Sequence, residues 1–80
     1  MDPTEISALI EQALSGASAK VTTDGQGHYE AIVVSSLFDG KRSVQRHQMV
    51  YGALGSMVGR EIHALAVKTY TPQEWQATAS

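Results

Sequence analysis

The chain has 80 residues, carries a formal net charge of −2 and contains no cysteine. This length predicts one domain, residues 1–80, with a core near the lower size limit for independent folding. Without cysteine the chain can form neither disulfides nor thiolate-only metal sites, so a metal would need histidine or carboxylate ligands.

The same composition limits where the protein acts and what it binds. No apolar run approaches the roughly 18 residues of a membrane span, and the first residues do not resemble a signal peptide. We therefore expect a soluble, cytoplasmic protein without a membrane partner. The acidic balance argues against a surface that binds nucleic acid throughout, but it leaves room for a local basic patch.

The first half of the chain predicts a helix followed by a β-hairpin. Asp2 fits an N-cap, and apolar residues follow at helical spacing until Gly16 ends the helix. Strands are predicted over residues 19–23 and 28–34, separated by four Gly-rich turn residues. Two strands joined in this way pair antiparallel.

A second, longer helix is predicted to begin at Ser43 as N-cap and to break near Gly52 to Gly55, because glycine weakens a helix. Three basic residues, Lys41, Arg42 and Arg46, lie at its entrance. The predicted apolar face consists of Val44, His47, Val50 or Tyr51, Leu54, Met57 and Val58.

The C-terminal part predicts a third strand over residues 62–70 and then a short helix that Thr71-Pro72 starts. Trp75 and Tyr51 are expected to cover the small core. Residues 76–80 are expected to form a frayed tail.

These elements predict an α+β, two-layer sandwich with the order helix, strand, strand, broken helix, strand, short helix. The long helix allows the third strand to return to the hairpin, which gives a three-stranded mixed sheet. The order also matches the type II KH topology, a fold used in RNA binding.

Several sequence pieces together resemble the BolA family, and in particular its IbaG-like, acid-stress branch. They are LFDGKRSVQRHQMVYGAL, then Ile62-His63-Ala64 and the Thr71-Pro72-x-Glu74-Trp75 segment. The resemblance extends over nearly the whole chain and implies a BolA-like, type II KH-like fold. It also implies two roles: sharing a 2Fe-2S cluster with a monothiol glutaredoxin, or regulating transcription through DNA.

The resemblance makes His63 and His28 the candidate metal ligands. Imidazole can replace thiolate on one iron of such a cluster, as Rieske centres show. Because this chain has no cysteine, the partner must supply thiolates, which the resemblance assigns to the glutaredoxin and a bound glutathione. We expect no cluster in the isolated protein, which would be a monomer or a weak homodimer.

Each histidine also has a purely structural interpretation. His63 lies beside apolar residues and fits a packed strand histidine, whereas His28 fits an exposed loop residue. His47 on the long helix is interpreted as a packing or partner-contact residue and is left out of the metal site. Another group in place of His28 remains an alternative for the second ligand.

The alternative function is DNA binding by a local basic patch of Lys41, Arg42, Arg46 and Lys68. The same cations also fit an acidic partner or a glutathione carboxylate. No nucleophile or oxyanion-donor set accompanies the histidines, so we predict that the protein is not an enzyme.

Overall fold

The computed structural model describes residues 2–79. Its helices and strands occur in the predicted order, and two single-turn 3₁₀ helices, Ser36–Phe38 and Gly55–Met57, precede and follow the long helix. The elements are α1 (Pro3–Ala13), β1 (Ser18–Thr23), β2 (His28–Val34), α2 (Ser43–Leu54), β3 (Ala64–Tyr70) and α3 (Pro72–Ala79). Between residues 2 and 79, no helix has the length and apolar character that a membrane span needs.

The sheet has three strands in the order β1-β2-β3. Strand β1 pairs antiparallel with β2, and β2 pairs parallel with β3, with His28 opposite Ala64. A sheet with both kinds of pairing confirms the predicted mixed sheet. It also brings the beginnings of β2 and β3 side by side.

The helices α1 and α2 cover one face of this sheet. Side chains alternate along a strand, so Tyr29, Ala31 and Val33 are buried while His28 and Glu30 are exposed. The other core residues are Ile6, Ile10, Leu14, Phe38, Val50, Leu54, Ile62 and Leu65. The opposite face of β2, which carries His28, is the open face of the sheet.

Helix α2 differs from its prediction at its first turn. Arg42, and not Ser43, is the N-cap, and its backbone N–H donates to Oε1 of Gln45 at 3.0 Å. Val44, predicted to be apolar-facing, is 67% exposed. The residues of α2 that face the core are spaced four apart and include the buried Val50 and Leu54. Val44 does not lie on this side of the helix.

The predicted break in the long helix is confirmed. Helix α2 ends at Leu54, and Gly55 caps it with a positive φ of 60°. Glycine adopts this conformation with less strain than other residues. The GxxG sequence that begins at Gly52 therefore forms a helix end.

Strand β3 begins at Ala64, two residues later than predicted. Ile62 is fully buried and forms an isolated bridge with Val58, and its carbonyl accepts from the N–H of Gly59 at 2.6 Å. A tight turn therefore uses the apolar residue that the sequence pattern assigned to the strand. His63 consequently lies just before β3 and not within it.

The start of α3 matches its prediction. The N–H of Thr71 donates to Oε1 of Glu74 at 2.8 Å, and the N–H of Glu74 donates to Oγ1 of Thr71 at 3.2 Å. These reciprocal bonds form a capping box. Helix α3 continues through Gln76 to Ala79, where the sequence predicted a frayed tail; Ser80 lies outside the described residues.

Two aromatic residues predicted to cover the core do so only in part. Trp75 is 40% exposed and packs on Tyr70 with ring centroids 5.2 Å apart. Tyr51 is 37% exposed, and its hydroxyl donates to the Leu65 carbonyl at 3.0 Å. Each aromatic ring thus fixes a local contact at the edge of the core.

Candidate functional site

The loop between β1 and β2 is closed by its own hydrogen bonds. The Thr23 hydroxyl donates to the His28 carbonyl at 2.8 Å and accepts from the N–H of Gly25 at 3.1 Å. Gly25 and Gly27 have φ values of 81° and 86°, a region that favours glycine. The loop is therefore shaped before any partner binds.

Asp24 connects this loop to the first histidine. Its Oδ1 accepts from the N–H of Gln26 at 2.7 Å, and its Oδ2 lies 2.9 Å from Nδ1 of His28. The side chains of His28 and Asp24 are 62% and 49% exposed. Two hydrogen bonds hold the pKa of Asp24 below its ordinary value. The bond from the Gln26 N–H has the larger effect, and the bond with the His28 ring has the next largest.

Gly27 forms a seat for the second histidine. Its carbonyl accepts from the N–H of His63 at 3.1 Å and from the N–H of Ala64 at 3.2 Å. A Cβ atom at Gly27 would collide with Cδ2 of His63 and lie 3.1 Å from Cγ. The His63 ring therefore packs over a position that only glycine leaves open, while His63 as a whole is exposed.

The two candidate ligands thus lie at neighbouring strand ends. His28 is the first residue of β2, and His63 immediately precedes Ala64, which pairs with His28. We call Asp24, Gly27, His28 and His63 the hairpin end. Within residues 2–79 no three histidine, aspartate or glutamate side chains converge as a metal site, so a metal held here would take its other ligands from elsewhere.

A cavity of about 260 Å³ lies next to the hairpin end on the open face of the sheet. Thr22, Asp24, His28 and Ala66 are among the residues that line it, whereas His63 is not. The cavity therefore belongs to the His28 side of the hairpin end.

Arg46, a predicted partner- or DNA-binding residue, is engaged inside the protein. Its Nη1 and Nη2 donate to Glu74 at 2.7 and 3.3 Å, and its Nε donates to the Lys41 carbonyl at 2.9 Å. Its guanidinium lies 5.8 Å from the centroid of the buried Phe38 ring, within cation–π range. With only 13% of its side chain exposed, Arg46 joins two helices and has little surface left for a partner.

We call this group, which consists of Phe38, Lys41, Arg46, Thr71 and Glu74, the α2–α3 junction. Glu74 serves both Arg46 and the N–H of Thr71. These two bonds hold the pKa of Glu74 below its ordinary value. The bond from the Arg46 guanidinium has the larger effect, and the bond from the Thr71 N–H has the next largest.

The other predicted basic residues are exposed but do not form a single cluster. Lys41 and Arg42 lie in the turn before α2. Lys68 pairs with Ile32 on the open face of the sheet, opposite to the face that α2 covers. The structure thus places Lys68 on a sheet face and Lys41 and Arg42 in a turn, so the predicted basic residues do not share one element.

Three residues of these two sites were missed in the sequence. Asp24 and Gly27 were interpreted only as turn residues; an Asp in a turn is a signal for a bond to the backbone two residues on, but not for the contact with His28. Glu74 was recognised as a capping residue, but nothing local in the sequence indicates Arg46 as its partner 28 positions earlier.

Comparison with known proteins gives the class of this one. The family model described as BolA-like protein matches residues 4–74, and the chain belongs to the BolA family. This confirms the family predicted from sequence. The predicted BolA-like, type II KH-like two-layer sandwich is confirmed by a bolA protein homologue from Coxiella burnetii, with a TM-score of 0.84, 40% identity, and 95% and 97% of the two chains covered.

Within the family, the chain is similar to Acid stress protein IbaG of Escherichia coli strain K12. The two are 41% identical over 76 residues, which cover 94% of this chain and 89% of the relative. The chain is also 38% identical over 56 residues to the DNA-binding transcriptional regulator BolA of the same strain, covering 70% of this chain but 53% of that protein.

Proposed function

We propose that this chain is a non-enzymatic, cytoplasmic adaptor that binds a monothiol glutaredoxin and shares a 2Fe-2S cluster with it, in iron–sulfur trafficking or in iron or stress regulation. The observation that carries this proposal is the hairpin end, where two exposed histidines lie at neighbouring strand ends. His28 and His63 would contribute nitrogen ligands from this chain.

The donor set of the hairpin end suits a shared cluster. One iron of a 2Fe-2S cluster accepts imidazole in place of thiolate. This chain offers two histidines and no thiolate, so it needs a partner with the opposite supply. A monothiol glutaredoxin with bound glutathione has that supply, and the cluster would be the cargo that the two proteins share.

The environment of each histidine supports availability for a partner. Nδ1 of His28 is held by Asp24, and its side chain is 62% exposed. His63 is anchored through its backbone N–H and by packing over Gly27, so the exposed ring does not depend on a buried polar contact. Both rings are thus fixed at their base and accessible from outside.

The experiment is a titration of a cluster-loaded monothiol glutaredoxin with this protein, followed by visible absorption and circular dichroism. We expect a mixed-complex spectrum for the wild type that is lost in His63→Ala and weakened in His28→Ala. His47→Ala is the matched control, because His47 lies half-buried on α2. An unchanged glutaredoxin spectrum with the wild type would contradict the proposal.

DNA binding is the second candidate, because relatives from Escherichia coli and Haemophilus influenzae are named DNA-binding transcriptional regulators. Of the four cations predicted to form the patch, Lys41, Arg42 and Lys68 are exposed, while Arg46 is bound to Glu74. Binding through phosphates would weaken steeply with salt. Each alanine substitution at a contacting cation should reduce the logarithmic salt slope by about 1.

A further inference from the structure

The hairpin loop restricts which nitrogen of His28 can face a metal. Asp24 holds two neighbours at once: Oδ1 accepts from the backbone N–H of Gln26, and Oδ2 faces Nδ1 of His28. An ionised carboxylate can only accept hydrogen bonds, so the ring must place a proton on Nδ1. In the neutral ring this leaves the lone pair on Nε2.

We propose that Asp24 is a positioning residue that fixes the tautomer and orientation of His28 and so makes Nε2 the metal-binding atom. The inference rests on the proposed function for the metal itself, but the tautomer is a property of the free protein. A carboxylate on the far nitrogen of a metal-binding imidazole also fixes the ring and makes the ligand more basic.

The loop geometry supplies the reason why Asp24 can do this despite its exposure. Its carboxylate is oriented by the Gln26 N–H at 2.7 Å, and its own backbone N–H donates to the His28 carbonyl at 3.3 Å. Thr23 donates to the same carbonyl at 2.8 Å. The aspartate and the histidine are therefore held together through side chain and backbone.

The isosteric variant Asp24→Asn gives a sharp test. The backbone N–H of Gln26 needs an acceptor, so the amide oxygen takes the Oδ1 position and the amide NH₂ turns to His28. An NH₂ group donates, so Nδ1 must become the acceptor and the proton must move to Nε2. Asp24→Asn should thus invert the tautomer, and Asp24→Ala should give a mixture.

The first measurement is a long-range ¹⁵N–¹H correlation spectrum of the free protein, about two pH units above the ordinary histidine pKa of ~6.5. We expect the Nδ1–H pattern for His28 in the wild type and the Nε2–H pattern in Asp24→Asn. Glu30→Gln is the control, because it removes the same charge from the same face of β2 without a contact to Nδ1. A wild-type Nε2–H pattern, or no change in Asp24→Asn, would overturn the proposal.

The second measurement is the midpoint of the glutaredoxin titration for the same variants. Removing such a partner of a ligand typically weakens metal binding by about 10- to 100-fold. We expect a weakening of at least about 10-fold in Asp24→Asn and none in Glu30→Gln. An inverted tautomer with unchanged binding would overturn the role of Nε2.

The two proposals fail in different ways. If the wild type forms no mixed complex, the proposed function fails, and Nε2 has no metal to bind. The other case is that the mixed complex forms and depends on His63, but Asp24→Asn does not change the ¹⁵N–¹H spectrum of His28 in the free protein. Only the positioning role then fails.

Discussion

The α2–α3 junction and the hairpin end are both built from polar residues, but they use them differently. At the junction, Arg46 donates three hydrogen bonds within the protein, and Glu74 accepts from both Arg46 and the N–H of Thr71. At the hairpin end, Asp24 holds only one nitrogen of the His28 ring. The junction uses its polar atoms within the fold, whereas the two histidines of the hairpin end stay exposed.

This difference shows that residues of the same family motif can be either engaged within the fold or exposed. Arg46 and His63 are both among the residues that carry the resemblance to the BolA family. Yet the Arg46 side chain is 13% exposed, while His63 is exposed and rests on Gly27. A charged motif residue is therefore a candidate for binding only where its partners inside the fold leave an atom free.

The largest expected effect concerns the apolar base of the junction. Phe38→Ala should lower the free energy of unfolding by about 3 to 5 kcal/mol, because a fully buried ring is lost beneath Arg46. Urea unfolding measures this loss, with Phe38→Leu as a milder variant if the alanine protein does not fold.

The neighbouring residue is the matched control. Leu37 is 42% exposed, so Leu37→Ala should cost much less than Phe38→Ala. Equal losses for the two variants would mean that the junction does not rest on Phe38.

The next effect tests the seat of His63. Gly27→Ala and Gly25→Ala should each cost about 1 to 2 kcal/mol, because both positions have positive φ. Only Gly27→Ala should also move the His63 ring, because a Cβ at Gly25 meets no atom within 4 Å. Urea unfolding measures the loss of stability in each variant, and the NMR signals of His63 show which variant moves the ring.

If Gly25→Ala shifts the His63 signals as much as Gly27→Ala does, the contact between Gly27 and the ring does not position His63. The mixed-complex titration should follow the NMR result, with a weaker complex for Gly27→Ala than for Gly25→Ala.

The smallest expected effect is a pH dependence of the junction. The pKa of Glu74 is lowered in the folded protein, so its stabilising contribution is fully present at neutral pH and is lost as pH falls through the folded pKa. The Tm difference between wild type and Glu74→Gln should therefore shrink in acid. A difference that stays constant from neutral to strongly acidic pH would contradict the ionic role of Glu74.

The sequence was sufficient for elements with strong local signals. The Gly-rich turn located the start of β2 at His28, and Thr71 with Glu74 located the start of α3. These predictions depend on contacts between residues a few positions apart. Local capping and turn chemistry can therefore be read without the fold.

The sequence was insufficient where a residue's partner is distant. Arg46 lies four residues before the buried Val50 and shares its stripe, but the pattern treats every arginine as polar and solvent-facing. Only the fold brings Glu74 and Phe38 to it. Likewise, the apolar Ile62 was assigned to β3, although it closes a turn against Val58.

The candidate site could be predicted as a pair of residues but not as a geometry. The resemblance selected His28 and His63, and the structure brings their chain positions together through the pairing of β2 with β3. The supporting contacts from Asp24 and Gly27 depend on the exact path of the loop. No residue pattern specifies that path.

If the hairpin end serves binding and the junction serves folding, substitutions in the two regions should have opposite effects. The most direct test measures Tm and the mixed-complex spectrum with cluster-loaded glutaredoxin for His63→Ala and Arg46→Ala side by side. We predict that His63→Ala keeps its Tm and loses the spectrum. Arg46→Ala should lose roughly 5 °C of Tm, the shift that a loss of about 1 kcal/mol gives in a domain of this size, and should keep the spectrum below its own Tm. A folded Arg46→Ala protein without the spectrum, together with a His63→Ala protein that retains it, would contradict the account.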